Sequence, residues 1–189
     1  ERLERAGALR KQLAPLEQKL AAFDPLACPR GTIVIQHDDA ARTSQLIKAA
    51  GPAKYPEGAA RGQADYPGDA RELPNLGRGY LYWHNVSGKD VFAWLPQAQG
   101  RFRVWLSWGC GFKTHAEDAR YVLDRDGDLA TTGDQTEIAR VSHQKFADGT
   151  GDVLGQRQWS GFFNAGIHEF TAEAKLVLRG GANDSYASA

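Results

Sequence analysis

The stretch "RFRVWLSW", residues 101 to 108, decides the fold that we predict for this chain. Its apolar side chains recur at every second position, which is the period of a β-strand with one buried face. Four of them would share the core face: Phe102, Val104, Leu106 and Trp108. The opposite face, which solvent or a ligand can reach, would carry Arg103, Trp105 and Ser107.

Runs of similar character lie on both sides of this stretch. They are short, rich in β-branched and aromatic residues, and separated by turn signals such as "SGKD", "AQG" and "NAG". Because no helices are predicted between successive runs, we expect an all-β fold, an antiparallel sandwich or barrel. The runs are "TIVIQ", "GYLYWHN", "DVFAWLP", "ARYVLDRDGD", "TEIARVS", "WSGFF" and "AKLVLRGG".

The first 23 residues follow a different pattern. Their apolar side chains recur at alternating spacings of three and four, which predicts a helix with one apolar stripe. Pro15 would kink this helix, because proline removes an amide donor and clashes with the preceding turn. We predict a helical connector over residues 1–29, a β-sandwich binding module over 30–183 and a tail over 184–189. The stripe consists of Ala6, Leu9, Leu13, Leu16, Leu20 and Phe23.

Composition argues against two classes of partner. Lys plus Arg and Asp plus Glu are both 23 in 189 residues, so the net charge is zero and nucleic acid is not an expected partner. No window approaches the roughly 18 consecutive apolar residues of a membrane span.

Because the chain lacks Met and begins inside a helical pattern, we expect it to be a piece of a longer polypeptide. Residues 51–79 are rich in Gly and Pro and predict long loops.

The two cysteines, Cys28 and Cys110, match no close-spaced metal motif. A disulfide between them would join the start of the β domain to its centre and would suit an extracytoplasmic protein. Two buried free thiols are the alternative. Cys110 with His115 could also form a nucleophile and base, but two residues close together on one loop are weak evidence for catalysis. Since the standard enzyme signatures are missing from the sequence, we predict a non-catalytic protein.

Two acidic stretches bear on metal binding. "DRDGD", residues 124 to 128, lacks the glycine and the Glu that an EF-hand loop needs at its sixth and twelfth positions, so we predict a turn between strands. "HDDA", residues 37 to 40, supplies Asp38 and Asp39 as candidate ligands of a structural Ca²⁺, with Asp65 or Asp69 from the long loop as a further candidate. Solvated surface carboxylates are the alternative there.

Aromatic and polar side chains cluster near the ends of the predicted strands. Sugars present C–H faces that stack on tryptophan and hydroxyls that bond to polar side chains, so this inventory suits saccharide recognition. For any one tryptophan, a place in the core is the alternative. The basic groups among the candidates favour uronic or sulfated glycans, and neutral galactose fits as well. The candidate sugar-binding residues are Trp83, His84, Arg103, Trp105, Lys113 and His115.

The order of the runs resembles a known family. The segments "DVFAWLPQAQGRFRVWLSW", "DARYVLDRDGD", "RVSHQ", "QWSGFFNAGIHEF" and "KLVLRGG" together resemble golvesin C-terminal-like domains, also called xanthan-lyase carbohydrate-binding-like domains. The resemblance covers roughly residues 30 to 182, and its motifs are mainly structural. The loop "GCGFKTHAED" departs from the family pattern, so we transfer no binding residue from the family to this chain.

The resemblance implies a galactose-binding-like jelly-roll β-sandwich that serves as an accessory module of a large secreted protein. The version with "YWHN", "WLSWGCG" and "LRGG" is similar to domains attached to planctomycete proteins that also carry cytochrome-c-like domains. We therefore expect a lectin-like, extracytoplasmic module that binds polysaccharide and contacts neighbouring domains of its parent protein. A structural or protein-interaction domain that binds no sugar is the alternative.

Overall fold

The computed structural model describes residues 13, 31–56, 59, 79–151 and 155–189. The chain divides into two compact units, Glu1–Thr32 with Pro67–Pro74, and Ile33–Tyr66 with Asn75–Ala189. Of the predicted helical connector, only Leu13 is among the described residues, so the helix, its kink and Cys28 lie outside them. Every named strand belongs to the second unit.

Residues 33–56, 79–151 and 155–189 form twelve strands and no helix, which confirms the all-β prediction. Every named strand pairing is antiparallel. The strands are β1 (Thr43–Gln45), β2 (Gly51–Lys54), β3 (Gly79–Trp83), β4 (Asp90–Trp94), β5 (Gly100–Leu106), β6 (Gly109–Cys110), β7 (Ala119–Asp124), β8 (Thr136–Val141), β9 (Gln158–Trp159), β10 (Phe163–Phe170), β11 (Lys175–Arg179) and β12 (Ala187–Ser188).

The strands form four sheets. The largest has the order β1-β4-β11-β7-β8, a second has the order β12-β3-β2, and two pairs, β10-β5 and β6-β9, complete the set. Strand β11 lies at the centre of the largest sheet and is apolar on both faces. Leu176 and Leu178 pack in the main core, whereas Val177 packs on the other face with Ala93 and Val122. A continuous apolar run marks a strand that is covered on both sides.

Strand β5 has the two faces that its alternation predicts. Leu106 and, just beyond the strand, Trp108 are buried, and Phe102 and Val104 pack against the core clusters. Arg103 is exposed, and Trp105 and Ser107 are half-buried. Because successive side chains of a strand point to opposite faces, the polar residues of this stretch form a row away from the core.

Three parts of the sequence differ from their predictions. "TIVIQ", residues 32 to 36, belongs to none of the named strands, and the first strand is β1. Strand β2 lies inside the region predicted as loops, where it pairs with β3. Residues 184–189, predicted as a tail, include β12, which pairs with β3, and the last three residues are buried. Strands β2 and β12 are short and show little alternation of their own. They form because they pair with β3.

Candidate functional site

The outer face of the β5–β10 pair carries the first group of predicted site residues. Trp105 lies opposite Asn164 in the strand register, and Arg103 lies opposite Ile167. Side chains directly opposite one another in an antiparallel pair share a face. Arg103 Nη1 donates a hydrogen bond of 3.4 Å to Asn164 Oδ1, which links the two strands across this face. We call Arg103, Trp105, Asn164 and Ile167 the Trp105 face.

This face offers groups that suit a sugar ring. The Trp105 indole is half-buried, so part of it is held by the protein while part meets solvent. The Arg103 guanidinium has five N–H donors, and its bond to Asn164 uses one of them. An apolar ring beside a directional donor and an amide is the arrangement that stacks on a sugar and binds its hydroxyls.

Two of the predicted residues lie in the core and are removed from the proposed site. Trp83 is 1% exposed, packs against Phe92 with ring centroids 5.6 Å apart, and donates from Nε1 to Ile47 O at 2.8 Å. His115 is 4% exposed, and its Nδ1 lies 3.2 Å from His143 O. Burial lowers the pKa of His115 and the hydrogen bond with His143 opposes this, so the group does not supply the positive charge that we expected.

His84 and Lys113 are exposed, as a binding role would require. The His84 ring stacks on Tyr186 with centroids 4.0 Å apart and rings inclined by 17°, and it also meets Tyr82 at 5.4 Å. These contacts place His84 with the β12-β3-β2 sheet, whereas Trp105 lies in the β10-β5 pair. The predicted site therefore separates into residues of two different sheets.

A buried polar network around His143 is a feature that the sequence did not indicate. His143 is fully buried, with its Nε2 3.3 Å from Tyr121 Oη and its Nδ1 3.2 Å from the backbone N of Ser188. Because the Ser188 N–H donates to Nδ1, the ring proton belongs on Nε2, where it can be donated to Tyr121. Trp108 stacks on the imidazole at 5.4 Å. Burial is the main reason that the pKa of His143 lies well below its usual value, so the ring is neutral.

Cys110 is a buried free thiol. Burial raises its pKa to about 12, which keeps the sulfur protonated at neutral pH. Since the thiolate is the reactive form of cysteine, this environment is unsuited to a nucleophile. Its candidate disulfide partner, Cys28, lies outside the described residues.

Among the residues that the structure describes, one group of three carboxylates could hold a metal ion: Asp124, Asp126 and Asp134, whose ligand atoms lie within 4.8 Å of one another. Their oxygens already accept bonds from the β7–β8 connection, such as Asp126 N to Asp134 Oδ2 at 2.8 Å and Gly127 N to Asp124 Oδ1 at 2.8 Å. These bonds organise the connection between two adjacent antiparallel strands, as the turn prediction requires.

The predicted Ca²⁺ ligands near the start of the domain are not part of that group. Asp39 stabilises a local turn. Its Oδ1 accepts a hydrogen bond from Ala41 N at 3.2 Å, and its backbone carbonyl accepts one from Thr43 Oγ1 at 2.8 Å. Asp38 is exposed. Asp65 and Asp69 lie outside the described residues, so a Ca²⁺ site that includes them stays a prediction.

No family model, curated protein or solved structure matches this chain. Within the described ranges, no helix is both long enough and apolar enough to cross a membrane.

Proposed function

We propose that this chain is a non-catalytic carbohydrate-binding module. The observation that supports it best is the Trp105 face, where a half-buried indole shares one face with an exposed Arg103 and its hydrogen-bond partner Asn164. A sugar ring would stack on the indole through its C–H face, while the guanidinium and amide would bind its hydroxyls or an acidic substituent.

The antiparallel sheets are compatible with a galactose-binding-like jelly roll, and the proposal includes that finer architecture and the golvesin-like resemblance. A module of this kind would belong to a larger extracytoplasmic protein and would hold it on a polysaccharide. A site on an open sheet face buries little of its ligand, so we expect weak binding by one module. Additional modules or domains in the parent protein would raise the avidity.

The burial of Cys110 supports a binding role over catalysis. Burial raises the pKa of the thiol to about 12, and His115, on the loop that follows, is itself buried, so this pair is a poor nucleophile and base. Incubation of the domain with polysaccharides should accordingly give no new reducing ends and no unsaturated products. Either product would contradict the non-catalytic proposal.

Glycan-array and affinity-gel measurements with neutral, acidic and sulfated polysaccharides test the proposal. We expect Trp105→Ala to abolish retention and Trp105→Phe to keep part of it, because a smaller aromatic ring still stacks. Arg103→Ala should weaken binding to acidic glycans most, and added salt should weaken it in the same way. Arg140→Ala is the matched control, since that exposed arginine lies on β8 and pairs with Glu137. If the unmodified chain bound no glycan of any class, the proposal would be refuted.

A protein-interaction domain is the second candidate function. Ile167 is 48% exposed and lies opposite Arg103 on the same face, where an apolar side chain suits a protein partner better than a sugar. If this alternative holds, Ile167→Asp would abolish association with a neighbouring domain, and no glycan would bind.

A further inference from the structure

A small open cleft lies beyond the end of the Trp105 face. It has a volume of about 50 Å³ and is lined by residues from several sheets, among them Trp94 of β4, Trp159 of β9 and Gly79 of β3. Ser107 also lines it. Ser107 follows Trp105 by two residues in the same alternating stretch, so the backbone positions of the two residues are about 7 Å apart.

The aromatic walls of the cleft are fixed by contacts behind them. Trp94 stacks on Tyr121 with centroids 5.9 Å apart, and Trp108 stacks on His143. Trp159 meets Phe162 edge to face at 5.2 Å. Trp94 and Trp108 are buried, so their rings close the back of the cleft, and the half-buried Trp159 is the ring that a ligand would contact.

The polar groups of the cleft are not used by the fold. Among the described residues, the side chains of Gln36, His37 and Ser107 have no hydrogen-bond partner, although all three are half-buried and line the cleft. Polar side chains in partly buried positions are normally bonded within the protein, to water or to a ligand. Their donors and acceptors are therefore free for a ligand that carries hydroxyl groups.

Gly79 lines the cleft beside His37 and is required by the pairing of β3 with β2. A Cβ atom at position 79 would lie only 2.9 Å from Ala53 O, which is closer than packed atoms normally approach. The same Cβ would lie 3.6 Å from His37 Cε1, which is an ordinary packing distance. The imidazole therefore lies next to position 79 at the edge of the cleft.

The lining indicates the chemical class of the ligand. None of the described side chains that line the cleft belongs to Asp, Glu, Lys or Arg. Burial lowers the pKa of His37, while Asp38 raises it, and the net lowering keeps the imidazole neutral near pH 7. A half-buried indole with neutral hydrogen-bonding groups suits a neutral polyhydroxylated ligand rather than an acidic one.

The size of the cleft limits how much of such a ligand can enter. A water molecule needs roughly 10–15 Å³ of comparable space, so the cleft has room for a few water-sized groups but not for several sugar rings. One edge of a single ring, with its hydroxyls, matches that space. The end of a glycan chain can present such an edge without a steric clash.

We propose that the cleft binds the terminal unit of a neutral glycan, with Gln36, His37 and Ser107 as its polar contacts and Trp159 as its exposed aromatic wall. This inference rests on the proposed function and extends it from stacking on the Trp105 face to recognition of a chain end. The Trp105 face would then hold the adjoining part of the glycan.

Titration of the full chain with D-galactose, D-glucose and D-mannose, followed by tryptophan fluorescence and calorimetry, tests the inference. We expect one of these monosaccharides to bind, and the double variant His37→Ala with Ser107→Ala to lose at least about tenfold in affinity. Ser185→Ala is the matched control and should change affinity less than about twofold, because that serine bonds only to Asn183 O in its own loop. Gln36→Ala provides a second cleft variant.

The outcomes separate the two proposals. If polysaccharide is retained and Trp105→Ala abolishes retention, but neither cleft variant changes monosaccharide or polysaccharide affinity, the cleft inference is wrong and the proposed function stands. Absence of monosaccharide binding to the unmodified chain, with polysaccharide still retained, also overturns the cleft inference. If no glycan of any kind binds, the proposed function itself fails.

Discussion

Two histidines show how differently this protein uses one side chain. His143 is fully buried, and each of its ring nitrogens lies 3.2 or 3.3 Å from a polar atom of Ser188 or Tyr121. His37 is half-buried at the cleft, and its ring has no hydrogen-bond partner among the described residues. Trp108 contacts both regions, because it stacks on His143 and lines the cleft. Polar groups that the fold satisfies stabilise it, and those that it leaves open are available for binding.

The largest expected difference between the two regions concerns their tryptophans. Trp108→Ala should lower the free energy of unfolding by about 3–5 kcal/mol, because it removes a ring that is 2% exposed and leaves a cavity. Trp159→Ala, at a half-buried ring on the cleft wall, should cost clearly less. Urea unfolding followed by circular dichroism measures both. Equal losses would show that Trp159 contributes as much to stability as the buried Trp108.

Acid should destabilise the protein through the buried region. The folded-state pKa of His143 lies well below the unfolded value of about 6.5, so its contribution is present above that pH and is lost as the pH falls below it. The free energy of unfolding should then decrease by up to about 1.4 kcal/mol per pH unit for this group. His115, whose pKa is also lowered by burial, acts in the same direction.

Urea unfolding between pH 7 and pH 4 measures this slope, and His143→Gln identifies its source. The variant has no ionisable group at position 143 and should show a flatter dependence, whatever its stability at pH 7. A slope that is the same in both proteins would assign the acid sensitivity to other groups.

Removal of the Tyr121 hydroxyl should lower the free energy of unfolding by less than the Trp108→Ala substitution or acidification does. Tyr121→Phe leaves the buried Nε2 proton of His143 without its acceptor, which should cost about 1–3 kcal/mol. Tyr186→Phe is the matched control at a half-buried ring that stacks on His84, and it should stay within about 0.5 kcal/mol. Similar losses in the two variants would contradict the role of the buried network.

The smallest effect on stability is expected at the cleft. His37→Ala should change the free energy of unfolding by no more than about 0.5 kcal/mol, because no hydrogen bond of the described residues depends on that ring. The same denaturation curves test this. A loss of 2 kcal/mol or more would mean that His37 is part of the structural core rather than of a binding site.

The strands of this protein could be predicted where local pattern and tertiary environment agree. The alternation of "RFRVWLSW" predicted the two faces of β5, and the apolar run of "AKLVLRGG" predicted β11. Strands β2 and β12 could not be found in this way. They are short, and Pro52 lies inside β2, so their pairing with β3 depends on contacts that are distant in sequence.

The candidate site was predictable only in part, for the same reason. Trp105 and Arg103 were identified because a strand's period assigns neighbours to faces. Trp83 also lies in a strand, but which face of β3 the core covers depends on Phe92 and Ile47, and the period does not say which. His115 and His84 both lie near the ends of predicted strands, yet one is buried and the other exposed.

The sequence by itself determined the secondary-structure class, most of the strand positions and the outward row on β5, because these depend on the alternation of neighbouring side chains. Only the tertiary structure decided which aromatic and histidine side chains are satisfied in the core and which line the cleft. Burial and hydrogen bonding depend on residues far apart in sequence: Tyr121, His143 and Ser188 form one network, whereas Gln36, His37 and Ser107 meet at one opening.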